Sequence, residues 1–172
     1  MAATSPAGPS PASYRRWTLL AFLAFLACLT LVVAGKRQAL GDLGFLKDDA
    51  YLNLAVCEQW SQTGVYGVDG HAIPATHDVL WRVLITVCNW LCNNLLTAPY
   101  LLGALFGLVA LSVTMALAWR AEARVGNSLL AALLMIVGSS LLVDAVAGRG
   151  GTLTGALCAG AFLLHVRGLD PG

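Results

Sequence analysis

Residues 79–96 read VLWRVLITVCNWLCNNLL, and whether this stretch crosses a membrane or lies along it decides the fold. At 1.5 Å per residue the run reaches about 27 Å, long enough to span. Its polar residues argue the other way. Asp78, Arg82, Thr86, Asn89 and Asn93 follow one another at steps of four, four, three and four, which is one continuous stripe on a helix. Leu, Val, Ile and Trp occupy the opposite side. A helix so divided suits the membrane interface, or the wall of a watery cavity, rather than the hydrocarbon core.

The sequence around it is that of a polytopic membrane protein. Of 172 residues, 58% are hydrophobic and 11% charged, where a soluble domain carries about 25% charged. The net charge of +1 says nothing about nucleic acid, and with no basic cluster no nucleic-acid partner is expected. Residues 1–14 are mostly Pro, Ser and Ala and form an expected disordered tail. Tyr14, Arg15, Arg16 and Trp17 make an interfacial anchor, and residues 17–34 form an uncharged first span. That run exceeds the 7–15 residues or so of a signal-peptide core, so it reads as uncleaved. Residues 36–98 form an external loop containing helices: a polar linker over 36–47, a short helix over 49–62, and an ordered loop or short hairpin over 64–77. Asp48 is placed to cap the helix and Gly64 to end it. Further spans are expected at 99–119, 127–147 and 152–167. The expected fold is thus all-α, with about four transmembrane helices plus external juxtamembrane helices.

Charge sets the orientation. Short basic loops stay in the cytoplasm, which places the Arg15/Arg16 end and the Arg120–Arg124 turn inside. Both ends agree only if residues 79–96 do not cross. The loop bearing Asp48 then lies outside, as do Asp144 and Arg149.

Several side chains there can carry chemistry. Asp48 and Asp49 open a helix; they serve either as a cap and dipole partner, worth about 1 kcal/mol, or as a base for an acceptor hydroxyl. Arg82 either snorkels to the interface or contacts a phosphate. His71, His77 and Asp78 lack the regular spacing of a metal site, and no metal or other cofactor is expected. Asp144 is positioned to reach water or Arg149. The Gly148–Gly151 turn before a helix start can offer backbone N–H groups to an anion. Five scattered cysteines make neither a disulfide framework nor a zinc site; Cys88 and Cys92 share one helix face as small packing residues. Gly103, Gly107, Gly155 and Gly160 offer small-residue faces for helix packing.

The order of these features resembles the N-terminal part of the GT-C superfamily of membrane glycosyltransferases, of the polyprenyl-phosphate-sugar-dependent mannosyl- and arabinofuranosyltransferase type. A first span leads to an external loop that opens Asp48-Asp49-Ala50-Tyr51. A Gly64-Val65-Tyr66-Gly67 turn follows, then Thr76-His77-Asp78-Val79-Leu80-Trp81 leading into a juxtamembrane helix. In the family's pattern Ser-Pro stands where His77-Asp78 stand here. The resemblance implies sugar transfer from a polyprenyl-phosphate donor to an acceptor hydroxyl at the outer face of a bacterial inner membrane, with the N-terminus cytoplasmic. Asp48 or Asp49 would be the base, and Tyr51, His77, Arg82 and Arg149 would bind substrate. Members of the family run to several hundred residues, so the resemblance implies a truncated or partial enzyme. Its expected partners are the bilayer, the lipid-linked sugar and a chain supplying the missing helices. The alternative expectation is a non-catalytic integral membrane protein, a degenerate relative or an accessory subunit.

Overall fold

The structure, a computed structural model, describes residues 11–40, 48–72, 78–122, 125–138, 141–147 and 149–169. In chain order the elements are α1 (Pro11–Leu40), α2 (Asp48–Thr63), β1 (Gly67–Val68), β2 (His71–Ala72), α3 (Val79–Cys92), α4 (Ala98–Glu122) and α5 (Val125–Leu133). A π-helical turn, Leu134–Gly138, leads from α5 to α6 (Leu141–Ala147) and α7 (Gly151–Leu169). The all-α class holds, apart from a two-stranded hairpin in the loop region.

α4 is the axis of the bundle, touched by α1, α3, α5, α6 and α7. Two glycines permit this. At Gly103 an added Cβ would lie 2.5 Å from the Ala145 carbonyl oxygen, so α4 and α6 meet backbone to backbone. At Gly107 it would lie 2.6 Å from the Phe25 ring, which is fully buried. Phe25, Ala110, Leu111, Met115 and Ile136 form one apolar core; Leu54, Cys57, Trp81, Ile85, Leu102 and Leu153 form another. Gly155 and Gly160, the other two glycines expected to pack, have no atom within 4 Å of an added Cβ. They open the surface of α7 instead.

Specific contacts fix the helix directions. Tyr14, near the start of α1, lies against Trp119, near the end of α4, with ring centroids 4.7 Å apart. With Phe25 at Gly107, this makes α1 and α4 antiparallel. Ser128 of α5 donates to the Met115 carbonyl at 3.4 Å, while Ala145 of α6 meets Gly103, so α5 and α6 also run against α4. α7 runs with α4: Leu153 joins Ala98 and Leu102, and Ala156 joins Ala110 and Leu111. The chain therefore leaves α1 at the end of the bundle where α4 begins, and α2, the hairpin and α3 are held at that end.

Two helices, over Ser13–Lys36 and Ala98–Arg120, are long and apolar enough to cross a membrane. Their outward side chains, such as Leu19, Leu23, Leu31, Leu101 and Leu105, are exposed aliphatics. A third crossing follows if Gly126–Val137 and Leu141–Ala147, bent by 44° to each other, count as one span. In place of the continuous helix expected over 127–147, the chain has a π-helical turn and a bend. The apolar part of α7, Gly151–Val166, is shorter, about 24 Å at the standard rise.

The first helix departs from expectation at both ends. Its described residues reach back to Pro11, inside the tail expected to be disordered, and Tyr14 gains an aromatic neighbour in Trp119. It also continues through Lys36–Leu40, expected as linker: the apolar run stops there, but Lys, Arg, Gln, Ala and Leu are all good helix formers.

α3 keeps its stripe but turns it inward. Arg82 and Thr86 are buried together with Trp81 and Ile85, whereas Val79, Leu80, Val87, Trp90 and Leu91 are exposed. The buried face thus joins Arg82 and Thr86 to Trp81 and Ile85, while Asp78 and Asn93, at the ends of the stripe, are exposed and Val87, Trp90 and Leu91 face out. Asn93, at φ 50°, closes the helix and donates its N–H to the Asn89 carbonyl at 2.7 Å.

Candidate functional site

α2 begins at Asp48, so Asp48 and Asp49 occupy the helix's first two positions, where backbone N–H groups have no intrahelical acceptor. Their side chains lie outside the described residues, as does His77. Gly64, at φ 73°, ends the helix just past Thr63, as its sequence position predicts. Ala50 is buried and Tyr51 is partly exposed.

The loop beyond is the expected short hairpin. Gly67 pairs with Ala72 and Val68 with His71. Asp69 and Gly70 both have positive φ, 52° and 80°, as the Asp-Gly pair of a type I′ turn requires. The Gln59 side chain accepts from the Gly70 N–H at 2.9 Å and ties the turn to α2.

This hairpin and α2 enclose Arg82. The guanidinium donates through Nε to Asn53 Oδ1 at 2.7 Å and through a terminal nitrogen to the Tyr66 hydroxyl at 2.6 Å. Its carbon lies 5.5 Å from the centre of the Tyr66 ring, which meets Trp60 edge-on at 5.7 Å. Arg82 is 5% exposed and Asn53 2%. The snorkelling alternative therefore fails: the side chain turns inward, because α2 and Tyr66 offer acceptors that a lipid-facing position lacks. Cys57 sits beneath, its thiol 3.4 Å from the Arg82 carbonyl. Burial pushes that thiol up, offset in part by Thr86 and by the nearby Arg82 charge. The Cys88 and Cys92 sulfurs lie 4.0 Å apart on α3.

A second polar region lies around Gly150. Asp78, Asp144, Arg149, Gly150, Gly151 and Thr154 line a cleft of about 360 Å³. Gly151 lets the Asp144 side chain approach closely: a Cβ there would lie 2.8 Å from the carboxyl carbon, so Asp144 would have to shift. A Cβ on Gly150 would lie 3.3 Å from an Asp78 oxygen and 3.4 Å from Trp81. Asp78 takes the left-handed conformation, φ 55° and ψ 22°, an uncommon one for a residue other than glycine. The cleft thus joins the α6–α7 turn to the start of α3.

The structure brings Asp144 and Arg149 together, as their sequence positions suggested, and adds Asp78. It does not bring Arg82 to them: one turn beyond Asp78 along α3, Arg82 engages α2 and Tyr66 instead. Asn53 was not anticipated; in sequence it is an ordinary polar residue on a short helix. Tyr66 carried a signal as part of the Gly-x-Tyr turn. Among the described residues no group of three or more His, Cys, Asp or Glu could hold a metal ion. No protein-family model, no curated protein and no solved structure matches this chain.

Proposed function

We propose that this chain is a GT-C-type glycosyltransferase that moves a sugar from a polyprenyl-phosphate donor to an acceptor hydroxyl at the outer face of a bacterial inner membrane. One observation carries the reading: α1 and α4 are antiparallel, with Tyr14 against Trp119. Arg15, Arg16 and Arg120 then share one end of the bundle, and the start of α2, α3 and the Arg149 cleft share the other. Positive charge marks the cytoplasmic side, so the acid-rich end faces out. In this reading α1, α4, the bent α5–α6 pair and α7 make four crossings, and α3 lies in the interface with Trp90 and Leu91 toward lipid.

In the transfer step, Asp48 or Asp49 takes the proton of the acceptor hydroxyl as its oxygen attacks the anomeric carbon. The bond from that carbon to the phosphate oxygen breaks, and the lipid phosphate leaves with the electron pair. A single displacement inverts the anomeric centre. Arg149 at the cleft supplies positive charge for the phosphate, while Tyr51 and His77 border the acceptor; Arg82, held by Asn53 and Tyr66, takes no part in this step. Replacing Asp48 or Asp49 with Asn should lower sugar transfer in membranes by about 100-fold or more for whichever is the base, with expression unchanged. Normal transfer by both variants removes the catalytic assignment.

Orientation is checked separately. In a background without exposed cysteines, Asn93→Cys should react with an impermeant maleimide from outside, and Val125→Cys only after the membrane is opened. The reverse pattern would invert the reading. A second reading, a non-catalytic subunit, draws on the unfilled Gly155 and Gly160 positions of α7, which suit the close approach of a partner's helix.

A further inference from the structure

The Arg82 cluster has an uneven set of hydrogen-bonding groups. Asn53 Oδ1 and the Tyr66 oxygen both accept from the guanidinium. That leaves the opposite halves of both groups as donors: the Tyr66 O–H proton and the Asn53 amide nitrogen. Asn53 Nδ2 is buried and makes no hydrogen bond, in a residue only 2% exposed. A buried amide donor without an acceptor costs about 1–3 kcal/mol, which a folded chain rarely leaves uncompensated. The charge is uneven as well. Among the described residues the side chains that accept from Arg82, Asn53 and Tyr66, are neutral, so this cluster carries one positive charge at 5% exposure. Burying a cation is costly unless an opposite charge joins it. Donors in excess and a net positive charge are the requirements of an oxyanion.

We propose that Asn53, Tyr66 and Arg82 form a binding site for a phosphate-type oxyanion, held between α2, the hairpin and α3. The anion takes the Asn53 amide N–H, the Tyr66 O–H and a remaining guanidinium N–H, and it neutralises Arg82. This site is separate from the Arg149 cleft and does not depend on sugar transfer. Tyr66 is half-buried and follows directly on Val65, which is exposed, after the end of α2.

The test uses the full chain in detergent micelles and follows its thermal unfolding midpoint against inorganic phosphate, and in parallel against farnesyl phosphate. Phosphate should raise the midpoint in a saturable manner. Asn53→Asp places a carboxylate where the amide oxygen accepts from Arg82, supplying the missing charge from within. This variant should unfold at a higher temperature without ligand and bind phosphate about tenfold more weakly or worse. Tyr66→Phe keeps the ring over Arg82 and removes one donor, so it should weaken binding several-fold even if Asn53→Asp does not fold. A response to both probes means a free small oxyanion; a response to farnesyl phosphate alone means a lipid headgroup. No midpoint shift with either probe, or equal binding by wild type and both variants, overturns the proposal.

Discussion

Gly103→Val should destabilise the bundle by about 3 kcal/mol or more, the upper end for overpacking. The reason is what the new side chain would meet. The first carbon alone would lie 2.5 Å from the Ala145 carbonyl oxygen and 2.9 Å from the Ala145 Cα. Backbone in a neighbouring helix cannot rotate away as a side chain can, so α4 and α6 would have to separate. Gly107 provides a graded comparison. There the obstacle is the Phe25 ring at 2.6 Å, whose movement disturbs a core but leaves the helix axes in place, and Gly107→Ala should cost less than Gly103→Ala. Gly155→Ala reverses the sign: with no atom near, it should gain up to about 1 kcal/mol from helix propensity. Thermal unfolding in detergent, followed by helical circular dichroism, reads all of these. If Gly103→Val and Gly155→Val unfold at the same temperature, the close α4–α6 contact is wrong.

These glycines also show which features were legible in the sequence. All four looked alike as small residues in apolar runs, yet only Gly103 and Gly107 face another helix. Composition identifies a residue that permits close approach; it cannot say which side of a lipid-facing helix meets protein. The period of α3 was more informative. Residues 78–93 showed one polar stripe, and Arg82 and Thr86 are indeed buried on one face. Which way that face points was not written there, since an amphipathic helix turns its polar side to water or to buried partners alike. Charge pointed toward the antiparallel relation of α1 and α4 by placing Arg15, Arg16 and Arg120 on one side, although Lys36 and Arg37 at the far end of α1 oppose that assignment. The break after Leu133 left only Gly138, Ser139 and Ser140 as a trace, too common a sequence in apolar helices to signal a bend.

The long-range members of the two polar regions were illegible for another reason. Arg82 meets Tyr66 across sixteen positions of chain and Asn53 across twenty-nine. Asp78 reaches the Asp144–Arg149 cleft across more than sixty. No local periodicity encodes contacts of that range. They follow once α2 and α3 are held at one end of the bundle, because the α6–α7 turn arrives at the same end.

Arg82 is therefore the second place where one substitution should have a large effect, and its sign tests what the cluster is for. Arg82→Met keeps an unbranched side chain and removes the charge. It relieves the cost of burying a cation but takes from Asn53 Oδ1 the N–H it accepts at 2.7 Å and from Tyr66 a charged donor at 2.6 Å. Hydrogen bonds to charged groups contribute about 1.5–3 kcal/mol each, and an orphaned buried amide costs about 1–3 kcal/mol. The losses exceed the relief, so the single variant should be less stable by about 2–3 kcal/mol. Hydrogen exchange should quicken in α2 and the hairpin while α4 stays protected, since α2 docks through α3 and the hairpin. Adding Asn53→Leu to Arg82→Met removes the orphan and should recover much of the loss, as replacing a whole buried polar group often does. Strict additivity of the two substitutions would mean that Asn53 and Arg82 are not coupled, and neither the docking of α2 nor the oxyanion site could then depend on their contact.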